Sequence, residues 1–215
     1  MGRKATIDNF HNALISCSET NSAGYHLAGW SSSESQVARF NSLVRASQFK
    51  GGSVIDYGCG PGDLYAYLSS LGLPLEYRGL DHSEHMLTVA RSRYGGQFEK
   101  IAFDAVCFGA ADYVFASGVF QFVDLDKPQY HFELIAQLFA SCKKALAVNL
   151  LSASRDDSNK VINELYLNPE AVVAFAKSKT KFWCIDHSYH QGGGDMTLAL
   201  FNRDSDLTWR RPNLA

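Results

Sequence analysis

The chain has 215 residues, 46% of them hydrophobic and 20% charged, with a formal net charge of −2. That supports one soluble domain with a sizeable core and excludes a disordered chain. No global basic field exists to hold nucleic acid or an anionic membrane, so neither is expected as a partner. The first ten residues lack an apolar run of signal-peptide length. The most apolar region, 105–123, is broken by Gly109, Asp112 and Gly118. Cysteines 17, 59, 107, 142 and 184 are odd in number, widely spaced and without a C-x-x-C pair. Free thiols, no metal centre and a cytoplasmic location are therefore expected.

In chain order, a helix is predicted over 7–16, then a Ser/Thr/Asn-rich break at 18–22. A second helix starts near Ser33, where Ser33 and Gln36 have capping-box spacing, and runs to about Ser47. Residues 53–57 form a short apolar strand ending in a glycine-rich turn. Helix 64–71, strand 75–80 and helix 83–94 follow, with Ser83 as N-cap of the last. Strands 98–103 and 113–117, helix 130–141 and strand 145–150 continue the alternation. Two short helices, 159–166 and 169–177, precede strands 182–189 and 196–202. The glycines 192–194 between those last strands can join antiparallel neighbours but cannot hold a parallel crossover. The prediction is an α/β fold, a mostly parallel sheet with helices on both faces and one antiparallel strand.

The segment with chemical content is Val54-Ile-Asp-Tyr-Gly-Cys-Gly-Pro-Gly-Asp-Leu64. A strand delivers Asp56, a turn brings Gly58 and Gly60, and a helix begins. Such a turn presents backbone N–H groups to a nucleotide-like ligand. The dinucleotide fingerprint G-x-G-x-x-G would need glycine at position 63, where Asp63 stands, and reads here as a helix N-cap. The G-K-[ST] of a nucleotide P-loop is absent. Asp81 ends the second strand, where an acid can bind both hydroxyls of a ribose, and Asp104 ends the third. Three strand-end acids without a phosphate-binding lysine suit a nucleoside better than a phosphate.

From about Ser53 to Leu150 the chain resembles the class I S-adenosylmethionine-dependent methyltransferases. The resemblance implies their Rossmann-like fold, with a seven-stranded sheet carrying one antiparallel strand and an N-terminal helical lid. On that basis residues 1–50 are expected to form the lid segment and 51–215 the cofactor-binding unit. It also implies roles. Asp56, Gly58 and Gly60 line the methionine part, Asp81 takes the ribose, and His82 and Met86 lie near the adenine. Asp104 and Ala105 contact its amino edge, and Ser117 ends the fourth strand beside the sulfonium. The N-P-P-Y-like motif of many nucleic-acid and protein amino-methylating members is missing; Ser117-Gly-Val-Phe-Gln121 stands there.

A small-molecule methyltransferase, monomeric or homodimeric, is the first expectation, with S-adenosylhomocysteine as product. An alternative keeps the cofactor but cyclises it, as in azetidine-2-carboxylate synthases, releasing methylthioadenosine. A further alternative is a non-catalytic module that only binds the cofactor. Candidate catalytic residues are Tyr25, His187 and Tyr189; candidate substrate contacts are Trp30, Arg39, Phe120 and Asn149. The segment from Tyr25 to Arg39 reads either as part of a lid or as a helix anchored by Trp30. His187 and His190 point to opposite faces of an extended strand and cannot easily share an ion.

Overall fold

The computed structural model describes residues 2–17, 24–189 and 194–203. The predicted break at 18–22, His190 and two of the glycines at 192–194 lie outside these. Three helices, α1 (Arg3–Cys17), α2 (Gly24–Leu27) and α3 (Ser33–Ala46), precede the first strand. Then β1 (Gly52–Tyr57), α4 (Asp63–Ser70), β2 (Leu75–Asp81), α5 (Glu84–Tyr94), β3 (Phe98–Lys100) and β4 (Ala111–Ala116) alternate. The chain continues through α6 (Tyr130–Ala140), β5 (Cys142–Ser152), β6 (Tyr166–Leu167), α7 (Pro169–Lys179), β7 (Trp183–Asp186) and β8 (Asp195–Phe201).

The sheet order is β3-β2-β1-β4-β5-β8-β7, and the short β6 pairs with the end of β5. Only β8 runs against its neighbours, pairing antiparallel with both β5 and β7. The expected seven strands and single antiparallel member are thus present, with β6 as an eighth. Central strands are buried on both faces, so their apolar runs are nearly continuous. Consecutive residues still serve opposite layers. Ile55 and Val114 pack with α6 residues such as Leu134 and Leu138, while Val54 and Phe115 pack with Leu43 of α3 and Leu68 of α4.

Two caps illustrate how local chemistry sets boundaries. Ser83 caps α5, its hydroxyl accepting from the Met86 N–H at 3.4 Å, as the sequence suggests. At α3 the cap is Ser32 rather than Ser33, its side chain accepting from Ser35 N.

Two predicted elements differ. The helix expected over 159–166 is a 3₁₀ turn at Asp157–Asn159 followed by an extended segment into β6. Asp156 caps that turn through Ser158, and two of the following residues bond to the 121–123 segment. Leu165 N donates to Gln121 O at 2.7 Å, and Val123 N to Asn163 O at 3.0 Å. Strand β3 stops at Lys100, and the chain turns through Asp104, whose φ of 59° is left-handed. Within the N-terminal helical segment, α3 packs on β5, β7 and β8.

Candidate functional site

The turn after β1 is held by backbone pairing to the end of β2. Gly58 N and Cys59 N both donate to Leu80 O, at 2.8 and 3.1 Å. Gly58, with φ 74°, also lies so close to Val119 that a Cβ would stand 2.5 Å from its Cγ2. Gly60 has φ 52°, yet a Cβ there would meet nothing within 4 Å. One glycine therefore exists for packing and the other leaves space for something outside the chain.

Asp81 closes this turn from the neighbouring strand. Its two carboxylate oxygens accept from Gly60 N at 2.9 Å and from Ser83 N at 2.8 Å. Each oxygen keeps a further lone pair. Beside it, Asp56 is fully buried and accepts from the Tyr77 hydroxyl at 2.5 Å. Burial pushes the Asp56 carboxyl up to about 7, against the lowering effect of the Tyr77 bond.

That shift predicts a pH signature. Between the unfolded carboxylate range and about 7, the folded state holds a proton that the unfolded chain has released. Its stabilising effect is thus complete at low pH and is lost as pH rises through the folded value. Stability of the ligand-free protein should fall over that window relative to Asp56→Asn, with the difference flat above it. Urea titrations of both proteins from about pH 4 to about pH 8 check this; parallel profiles contradict it.

These groups open onto one cleft of about 1000 Å³, partly open to solvent. Asp56, Gly58, Gly60, Asp81, His82, Met86, Asp104 and Ser117 all line it; Ala105 does not. The neighbours Ala102 and Phe103 line it instead, because the chain turns after β3. Asp63 lines it too and is not the cap of α4, a position held by Gly62. Its carboxylate accepts from Gln36 Nε2 at 3.0 Å, and burial raises its pKa despite that bond.

The expected N-terminal helical segment reaches the cleft through α1, by Arg3, Ile7 and His11, none of which sequence reading singled out. Arg3 is almost wholly buried, pairs with both oxygens of Asp104, and lies 3.7 Å over the Tyr130 ring. Asp8 of the same helix meets His82 Nε2 at 2.9 Å. His11 is kept low in pKa, chiefly by burial, with Asp81 acting against that. The only sequence signal for this wall is that Ile7 and Arg3 lie one helical turn apart.

A second cavity of about 770 Å³, also partly open, shares Trp30, Gly118 and Gln121 with the first. Arg39, Phe120 and Asn149 line it, so the four candidate substrate contacts come together here. Gly118, at φ 77°, admits the Trp30 ring, which would sit 3.0 Å from a Cβ. The Arg39 guanidinium lies 4.6 Å over that ring. Asn149 links the cavities: it accepts from the Ser117 hydroxyl and donates to Thr197 Oγ1, both at 2.8 Å.

The three candidate catalytic side chains are not brought to either cavity. Tyr25 lies against His26 in α2, and His187 follows β7. Tyr189 has its phenol buried near Thr197 and Asn149, and burial raises its pKa, which opposes service as a base. Among the described residues no cluster of His, Cys, Asp or Glu can hold a metal, and no helix is long and apolar enough to cross a membrane.

Comparison with known proteins agrees with this geometry. Residues 54–149 match a family described as methyltransferase domain. A Mycobacterium tuberculosis protein provisionally described as a methyltransferase is 29% identical over 147 residues, covering 64% of this chain and 86% of the relative. The solved magnesium protoporphyrin IX methyltransferase of Synechocystis PCC 6803 superposes with a TM-score of 0.59 at 16% identity, over 92% of this chain and 91% of that one. A methyltransferase from Archaeoglobus fulgidus superposes at 0.58 with 14% identity, over 79% and 95%. At such identities the superpositions speak for the fold alone. The superpositions show the fold of the class I S-adenosylmethionine-dependent methyltransferases, and over residues 54–149 the chain is similar to their methyltransferase domain.

Proposed function

We propose that the chain transfers the methyl group of S-adenosylmethionine to a small-molecule acceptor. The observation that carries this reading is Asp81, whose carboxylate is pinned by two backbone N–H groups at the mouth of the glycine turn and lines the cleft. The residues present fit the cofactor. The cleft is rich in carboxylates (Asp56, Asp63, Asp81 and Asp104), which offsets a ligand carrying a sulfonium and an ammonium. The open space beyond Gly60 admits close approach to the backbone. When bound, S-adenosylmethionine supplies an electrophilic methyl whose leaving group is a neutral thioether, so no general acid is needed.

The chain's own residues then have limited tasks. Asp81 accepts from the ribose hydroxyls, and Asp56 with the turn from Gly58 to Gly60 holds the methionine end. His82 and Met86 flank the adenine. Asp104 meets the adenine edge while paired to Arg3, and Phe103 replaces Ala105 as its neighbour there. Trp30, at the wall between the cavities, orients the acceptor and excludes water. Ser117, Gln121 and Asn149 offer only neutral hydrogen-bonding groups on that side. Cyclisation of the cofactor has no comparable observation in its favour, since the relatives compared above are described as methyltransferases.

The test incubates purified protein with S-adenosylmethionine alone and with a pool of small metabolites, and identifies products by mass spectrometry. S-Adenosylhomocysteine appearing only with the pool is expected. Methylthioadenosine and a cyclic amino acid from the cofactor alone would overturn methyl transfer. Gly60→Val should abolish binding of S-adenosylhomocysteine, because a branched side chain occupies the open space and resists a positive φ. Calorimetry on the folded variant checks this; tight residual binding would mean that the turn does not touch the ligand.

A further inference from the structure

We propose that the second cavity receives the acceptor and that it selects a monocarboxylate with an apolar body, the anionic group docking on Arg155. This rests on the methyl-transfer reading, since it is the wall shared with the first cleft that gives a ligand here access to the cofactor. The shared wall is Trp30, Gly118 and Gln121.

The charges of this cavity are mostly committed. Arg39 is ion-paired with Asp195, both side chains being buried, and stacks on Trp30. Glu164 accepts from Gln121 Nε2 at 2.7 Å and from the Tyr166 hydroxyl. Arg155 differs. Its backbone N–H donates to Ser152 O at 3.1 Å, fixing it in the turn after β5, but its guanidinium makes no hydrogen bond or ion pair among the described residues.

The remaining walls set apolar Phe120, Leu150, Leu151 and Val161 beside polar Ser31, Ser35 and Asn149. Arg155 is partly buried there and has no counter-ion among the described residues, so part of its hydration is lost uncompensated by them. Its planar fork matches the two oxygens of a carboxylate. The carboxylates of Glu164 and Asp195 on the same cavity disfavour a dianion, so a phosphate monoester suits it less well than a carboxylate. A wall with an apolar side and a polar side, and a cation without a partner among the described residues, therefore describe a small, singly charged, amphipathic acid.

The experiment uses full-length protein saturated with S-adenosylhomocysteine. Binding is measured by calorimetry for a panel of monocarboxylates, from isovalerate to phenylacetate and 4-hydroxybenzoate, each beside its primary amide, with phenyl phosphate as a third arm. At least one acid should bind about tenfold or more tighter than its own amide, the effect of one charge-assisted hydrogen-bonded pair. Arg155→Gln should erase that preference and Arg155→Lys restore part of it, with S-adenosylhomocysteine affinity unchanged in both. Acids no better than their amides across the panel would overturn the proposal. So would a preference that survives Arg155→Gln, or phenyl phosphate binding more tightly than every acid. Wild-type protein that fails to bind S-adenosylhomocysteine would instead overturn the cofactor reading beneath it.

Discussion

Asp81→Ala is expected to weaken binding of S-adenosylmethionine and S-adenosylhomocysteine by about 2 kcal/mol or more, roughly thirtyfold. Two losses combine. The ribose hydroxyls lose a charged acceptor, and Gly60 N and Ser83 N lose the oxygens that now hold the turn and the start of α5 in place. Asp81→Asn should also be impaired. An amide offers only one acceptor oxygen, so its NH₂ must face one of those two N–H groups. The sheet does not depend on this side chain: the pairing of β1 with β2 is backbone-made over six residue pairs. Calorimetry with circular dichroism separates the two effects. A folded Asp81→Ala protein with unchanged affinity would remove Asp81 from the ribose.

Removing α1 by deleting residues 1–17 should lower cofactor affinity about tenfold or more and abolish most turnover, while the sheet still folds. The helix supplies Arg3, Ile7 and His11 to the cleft. Arg3 binds it to the turn after β3 through Asp104 and to α6 through Tyr130, and Phe10 meets Phe122 edge-on at 5.3 Å. A cation–π contact and a half-buried charged pair each contribute on the order of 1 kcal/mol, so losing this wall has a sizeable effect. The two main hydrophobic layers use none of its residues. We propose that α1 and the segment from Tyr25 to Arg39 close over bound cofactor as a lid. Hydrogen exchange in the intact chain should show both protected on adding S-adenosylhomocysteine. Identical exchange with and without it would reduce α1 to a fixed wall and Trp30 to an anchor.

What the sequence made legible was local. The β1 turn could be read because positive φ demands glycine, and Ser83 because a cap is a three-residue relation. The central strands were readable because burial on both faces leaves apolar runs. What escaped depends on distant contacts. Residues 159–166 carry helix-compatible side chains, but Leu165 N donates to Gln121 O and Asn163 O accepts from Val123 N, contacts that no local pattern reveals. Arg3 looks like an ordinary surface arginine until Asp104, Phe103 and Tyr130 gather around it. Asp63 resembles a cap by position, yet Gln36, 27 residues earlier, takes its carboxylate. The candidate catalytic residues Tyr25, His187 and Tyr189 were chosen by side-chain chemistry alone, and the topology sends them elsewhere.

A crystal structure of the complex with S-adenosylhomocysteine shows most directly whether the cleft at the ends of β1 and β2 holds the cofactor. Both ribose hydroxyls are expected on the Asp81 carboxylate, the homocysteine end along Asp56 to Gly60, and the sulfur facing the wall of Trp30 and Gly118. Electron density for the ligand anywhere else, or an adenosine whose ribose avoids Asp81, would contradict this placement.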